Sequence, residues 1–299
     1  MATSSVLRQQ LRKQLATPST TIAICLMGLA GGILAALMIA GFRFAIEQGA
    51  YLVGNDSYWQ QPLPTTCRFL LPVVAAVMIY ILFRLSGSKH VRMGIPYVIH
   101  RMKQHYGMLP WRSTVNQFFG GIIALVAGFS VGREGPAVHL GAAAATWLGF
   151  HFDAPKNAVR TLAACGIAAA IAASFNTPLA AMILVMEVVL REYKVHVFIP
   201  AVAGSLITEE IFGVASELAV LSAQDIPTTQ LPWVVLLGVV LGLVGVMFKK
   251  LMLDVMETVK DMSLFTRLLF AGLITAMLAV IIPTSLGPGL TAIEQVLNH

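Results

Sequence analysis

Apolar residues run in long, nearly unbroken blocks along this chain, and polar residues collect in short intervals between them. Four blocks are long enough to cross a bilayer: 21–45, 68–85, 231–250 and 266–284. Between 94 and 212 the rhythm changes. Shorter apolar pieces, punctuated by Gly, Pro and Asn, fall at 94–103, 117–131, 136–151, 158–175, 178–191 and 197–212. Many are nearer ~12–18 residues than the ~20 a perpendicular span needs, so tilted or partly penetrating helices are expected. Their broken ends must be buried in protein or face a watery cavity, because lipid cannot hydrogen-bond a bare backbone group. The pattern predicts an all-α, polytopic membrane protein.

Composition agrees. With 57% hydrophobic residues, 11% charged residues and a mean hydropathy of +0.79, a chain of 299 residues cannot cover its apolar surface in water. The excess of 20 Lys+Arg over 14 Asp+Glu lies in loops between apolar blocks, which points to a lipid bilayer as partner and away from nucleic acid. Arg8, Arg12 and Lys13 precede the first block. A cleaved signal peptide would have an apolar core of ~7–15 residues, and this block is longer, so it reads as a first membrane helix.

Lys and Arg set the expected orientation. The intervals 46–67 and 213–230 have none, whereas 86–112 carries Lys89, Arg92, Arg101, Lys103 and Arg112, and 249–267 carries Lys249, Lys250, Lys260 and Arg267. The positive-inside rule places the N-terminus and the basic intervals in the cytoplasm and the other two outside. Residues 1–20 are thus expected as a cytoplasmic segment and 21–299 as one transmembrane domain. Cys25, Cys67 and Cys165 lie far apart with no metal-ligand spacing, so neither a metal nor another cofactor is expected.

Three Gly/Pro-punctuated points interrupt the apolar pattern. The first is Met93-Gly94-Ile95-Pro96, after Arg92 and before a short helical piece. The second is Gly132-Arg133-Glu134-Gly135-Pro136, set between apolar stretches where a charge costs at least a few kcal/mol. Its glycines free the backbone and Pro136 suits the first turn of a helix. Backbone N–H groups at a helix N-terminus attract an anion, and a nearby carboxylate competes for the same place. The third is Ala172-Ala173-Ser174-Phe175-Asn176-Thr177-Pro178-Leu179-Ala180, leading to Glu187. There Asn176 and Thr177 look like caps of the helix begun by Pro178.

In order and spacing, these three points resemble the CLC family of voltage-gated-type chloride channels and chloride/proton antiporters. The resemblance implies a CLC-type fold, with the first of two inverted repeats and the start of the second. It implies a homodimer in the cell (inner or plasma) membrane, with one chloride path per subunit and no enzymatic activity. Helix N-termini would converge near the membrane centre, so that Met93, Gly94, Ile95, Pro96, Gly132, Arg133, Glu134, Gly135 and Pro136 face the anion. Partial positive charge holds an anion loosely enough for release. Glu134 would be the gate: its carboxylate occupies an anion position when deprotonated and swings out when protonated.

Three departures from the family pattern shape the expectation. Many members carry Ser before the Gly-Ile-Pro turn, but here the position is Met93, whose thioether cannot donate to an anion. Exchangers carry an inner acid at the position after Glu187, but here that residue is Val188, which favours passive conduction over proton-coupled exchange of chloride or fluoride. The chain also ends at His299, soon after Gly287-Pro288-Gly289, without a second Gly-rich helix start or a C-terminal Tyr. A truncated second repeat is therefore expected, with a non-conducting fragment that needs a second half as one alternative. An intramembrane enzyme using Glu134 or Glu187 lacks a second polar partner at a convincing spacing, Arg133 apart.

Other polar and small residues take structural readings. His139 follows Glu134 by five positions, off its helix face, and is expected as a packed side chain. His100 and His105 sit in the basic loop. Trp59, Trp111, Trp147 and Trp233 fall near segment ends, as interfacial anchors do. Gly28, Gly31, Gly32, Gly120 and Gly121 are expected to permit close helix contacts.

Overall fold

The computed structural model describes residues 21–54, 63–87, 93–192, 198–212, 231–287 and 289. Arg8, Arg12, Lys13, Trp59, Lys89, Arg92, Pro288 and the interval 213–230 lie outside them. The described residues form helices and connecting turns, with no strand among them. In chain order the helices are α1 (Thr21–Leu52), α2 (Thr65–Leu85), α3 (Gly94–Gln104), α4 (Trp111–Val126), α5 (Glu134–His151) and α6 (Lys156–Phe175). There follow α7 (Pro178–Leu184), continued by a π-helical turn (Val185–Leu190), then α8 (Phe198–Phe212), α9 (Leu231–Val259) and α10 (Leu264–Ile281).

Among the described residues, five helices are long and apolar enough to cross a membrane: Ala23–Leu52, Thr65–Leu85, Lys156–Phe175, Pro232–Val259 and Leu264–Ile281. The short helices differ in kind. The 11 residues of α3 rise about 16 Å, half the ~30 Å hydrocarbon thickness.

Several boundaries depart from the apolar pattern. Instead of 117–131, α4 begins at Trp111 and ends at Val126, because Gly128 adopts φ +79° and folds the chain back. Gly128 N–H bonds Leu125 O at 3.1 Å and Phe129 N–H bonds Ala124 O at 3.1 Å, the paired closure of a Schellman turn. Helix α1 continues beyond 45 to Leu52, with Arg43 and Glu47 paired at 4.0 Å one turn apart. Helix α9 runs on through Lys249 and Lys250 to Val259. Asn176 is not a start cap for α7. It ends α6 in the left-handed conformation (φ 52°), and its Oδ1 accepts from Ser205 Oγ on α8.

Helix α6 is the hub, packed against α1, α5 and α8. Its run of alanines leaves little side chain between backbones, so helices approach closely. A Cβ added to Gly166 would overlap Gly141 O on α5, and one on Gly204 of α8 would lie 2.8 Å from Ala169 Cα. The expected tight contacts are present at Gly28 (Cys165 Sγ at 3.0 Å), Gly31 (Ala145 Cβ at 3.1 Å), Gly32 (Pro200 Cβ at 2.7 Å) and Gly121 (Phe42 at 3.1 Å). At Gly120 the nearest atom is Leu82 Cδ2 at 3.8 Å, an ordinary distance.

Two apolar cores form, and α5 feeds both. Val138 and Ala142 join Val98, Met102, Ile167, Ala181 and Val185 in one, while Ala137 and Leu140 join Ile39, Phe42 and Leu125 in the other. Outside these cores, α2 packs on α10 and α4. The most apolar stretch of α9 is exposed along its whole length, a surface that only lipid or protein can cover.

Candidate anion site

The two candidate helix starts are built differently. Helix α3 begins at Gly94, where φ +75° demands glycine, after an extended Met93 whose side chain makes no capping bond. The capping oxygen comes instead from α4: Gln117 Oε1 accepts from Gly94 N–H at 3.0 Å. This satisfies one of the four amides that a helix start leaves without an i−4 partner.

Helix α5 begins at Glu134, with Arg133 as the preceding residue and Ala137 N–H bonded to Arg133 O at 2.9 Å. Pro136 lies in the first turn, where its missing N–H costs nothing, and is buried against Gly121. An acidic residue in that first turn is favoured by the positive end of the helix. The Glu134 carboxylate folds back over the Gly132 backbone so closely that a Cβ on Gly132 would overlap its Oε2. Glu134 and Gly132 are exposed, whereas Arg133 and Gly135 are half-buried.

These starts meet. A Cβ built on Gly135 would lie 3.9 Å from Gly94 Cα, in van der Waals range, so the first residues of α3 and α5 face one another backbone to backbone. One helical turn farther in, Tyr97 of α3 stacks on His139 of α5, with ring centroids 5.9 Å apart and planes at 26°. His139 is fully buried, as a packed histidine should be. Ile95 is partly buried against the core that also holds Ala181 and Val185, while Pro96 is exposed. Glu187 and Val188 are both exposed on the π-helical turn, on a different element from the α3–α5 junction.

A clasp holds the loop before Glu134. Gly287 N–H donates to Gly128 O at 2.9 Å, and Ser130 Oγ lies 3.1 Å from both Ser285 O and Gly287 O. The turn after α10 thus anchors the approach to α5. Sequence reasoning singled out neither Ser130 nor Gln117. The signal for Gln117 was present, because Asn116-Gln117 is a polar pair directly before the apolar run from Phe118. For Ser130 no local signal existed.

The model of the voltage gated chloride channel family matches residues 72–299, most of the chain and all of the candidate site. The chain belongs to that family. It is a multi-pass integral membrane protein with an all-helical fold of the family's kind. Among solved structures it resembles the crystal structure of a slow cyanobacterial Cl⁻/H⁺ antiporter, with a TM-score of 0.72 at 22% identity, over 89% of this chain and 64% of that one. At that identity the likeness is one of fold. The chain spans less than two thirds of the antiporter's length.

Proposed function

We propose that this chain contributes a transmembrane path for small anions, chloride first among them, gated by Glu134. The observation that carries the proposal is the contact between the starts of α3 and α5 at Gly94 and Gly135, with the Glu134 carboxylate beside it. Two helix starts facing one another concentrate partial positive charge without a full cation. A negative ion is drawn in but held weakly enough to leave. Met93, Gly94, Ile95 and Pro96 form one wall of the proposed site, and Gly132, Arg133, Glu134, Gly135 and Pro136 the other.

The carboxylate of Glu134 competes with an arriving anion for the positive end of α5. Protonation removes its charge and with it the reason to stay, so acid opens the path. Passive conduction is the primary reading, because the apolar Val188 cannot relay a proton inward. Proton-coupled exchange of chloride or fluoride is the second reading. It is supported by the fold neighbour, which is itself a Cl⁻/H⁺ antiporter, and by exposed Glu187 next to Val188. The proposal includes a homodimer in the cell membrane with a cytoplasmic N-terminus, one membrane domain over 21–299, no enzymatic step and no cofactor.

Proteoliposome flux tests it. Chloride efflux should rise as the pH falls, and Glu134→Gln should conduct at neutral pH as wild type does in acid. With a chloride gradient imposed, a passive path leaves the lumenal pH unchanged, whereas an exchanger drives protons uphill. A Glu134→Gln protein with the wild-type pH response would refute the gate.

A further inference from the structure

We infer that Gln117 is a coordinating and selectivity-setting residue of the α3–α5 junction, its carboxamide serving as the side-chain donor that Met93 cannot be. This rests on the reading of the junction as an anion path and names a ligand within it.

Gln117 lies on α4 and is only 8% exposed, where an unused amide would be costly. Its oxygen accepts from Gly94 N–H. Because that N–H can only donate, the oxygen must face it and the NH₂ group, with two donors, must point elsewhere. Among the described residues the side chain makes no other hydrogen bond, and the nitrogen is not one of the sealed, partnerless buried atoms. The structure thus leaves an uncommitted pair of N–H donors on a buried carboxamide whose oxygen caps Gly94, the residue that faces Gly135 at the start of α5.

The chemistry suits a small monovalent anion. Without an anion, a neutral oxygen covers the first amide of α3. With one, the NH₂ group can donate to it together with the amide of Ile95, which has no i−4 carbonyl at the start of α3; Pro96 has no amide to give. A carboxamide brings donors without net charge, so it adds directionality and avoids the tight grip of a lysine. Donor count and reach at this point then help decide which anion is preferred.

Chloride titration calorimetry on the full purified chain tests this, with fluoride as a second probe. Four proteins are compared: wild type, Glu134→Gln, Gln117→Met and Gln117→Glu. Gln117→Met should bind chloride at least about tenfold more weakly, a loss of about 1.4 kcal/mol. Gln117→Glu keeps the acceptor for Gly94 but replaces the donors with a negative charge, so it should lose chloride heat altogether. If Gln117→Met does not fold, Gln117→Glu decides. Adding Met93→Ser to Gln117→Met should restore part of the affinity by returning a donor to the same helix start. Unchanged affinity in both Gln117 variants, alongside an altered Glu134→Gln, would reduce Gln117 to a helix cap and leave the gate standing. Absence of chloride heat in wild type and Glu134→Gln alike would overturn both readings.

Discussion

Replacing Gly132 with Ala asks whether the position of the Glu134 carboxylate controls the proposed path. Gly132 is not one of the positive-φ glycines, so its backbone tolerates an L side chain. The new Cβ would overlap Glu134 Oε2 and lie 2.8 Å from its Cδ. Since the obstacle is the end of a flexible side chain, the carboxylate moves and the fold holds. What is lost is the favourable position of a negative charge at the start of α5, worth about 0.3–1 kcal/mol at an exposed site. That energy converts to about a two- to fivefold shift between the carboxylate in place and the carboxylate displaced. Chloride efflux from proteoliposomes at neutral pH should therefore rise about two- to fivefold over wild type. At acid pH the charge is already neutralised, and the two proteins should conduct alike. In a Glu134→Ala background Gly132→Ala should add nothing, closing a double-mutant cycle on the pair. An equal change at both pH values, or no change at either, would show that the carboxylate position does not govern flux.

Other substitutions probe the scaffold. Gly141→Ala puts a Cβ against Ala170 Cβ and 2.5 Å from Gly166 O, a backbone atom that cannot swing aside. It should cost about 1–3 kcal/mol, seen as a lower melting temperature in detergent, and an unchanged melting curve would contradict the close α5–α6 approach. Asn176→Gly should be milder than Asn176→Ala, because Gly keeps the left-handed φ while Ala pays about 1–2 kcal/mol for it; equal losses would put the cost in the bond to Ser205. Ser130→Ala removes the hydroxyl between Ser285 O and Gly287 O, a change of about 1 kcal/mol. Proteolysis in the 283–287 turn should quicken, with Ser130→Thr restoring protection; equal cleavage in all three proteins would refute the clasp.

Family, fold class and the two helix starts were legible in the residues. Gly94 and Gly132-Arg133-Glu134-Gly135-Pro136 mark their own backbone chemistry, since a positive φ, a first-turn proline and an acidic N-terminus are local preferences. The expected start of α5 at 136 was late by two residues, because the first turn takes in Glu134 and Gly135 as well. The register of α4 differs from the apolar pattern for another reason. An apolar count opens this piece at 117 and leaves Asn116 outside it, yet Asn116 is buried inside the helix with Gln117, while apolar Phe129 lies beyond its end. The same holds for Asn176, whose type suits either side of a turn; the αL backbone and the bond to Ser205 assign it to the end of α6.

By itself, then, the sequence determined a membrane-spanning helical chain and the Gly/Pro points at which α3 and α5 begin to within two residues, because hydrophobic length and Gly/Pro backbone preferences act over a few neighbouring residues. Only the tertiary structure decided that Gly94 lies against Gly135, that Gln117 caps α3 from another helix, and that Ser285 and Gly287 hold the loop before Glu134. Those contacts join residues far apart in the chain. They follow from how closely small residues let whole helices approach, a property of packed surfaces that no local stretch of sequence carries.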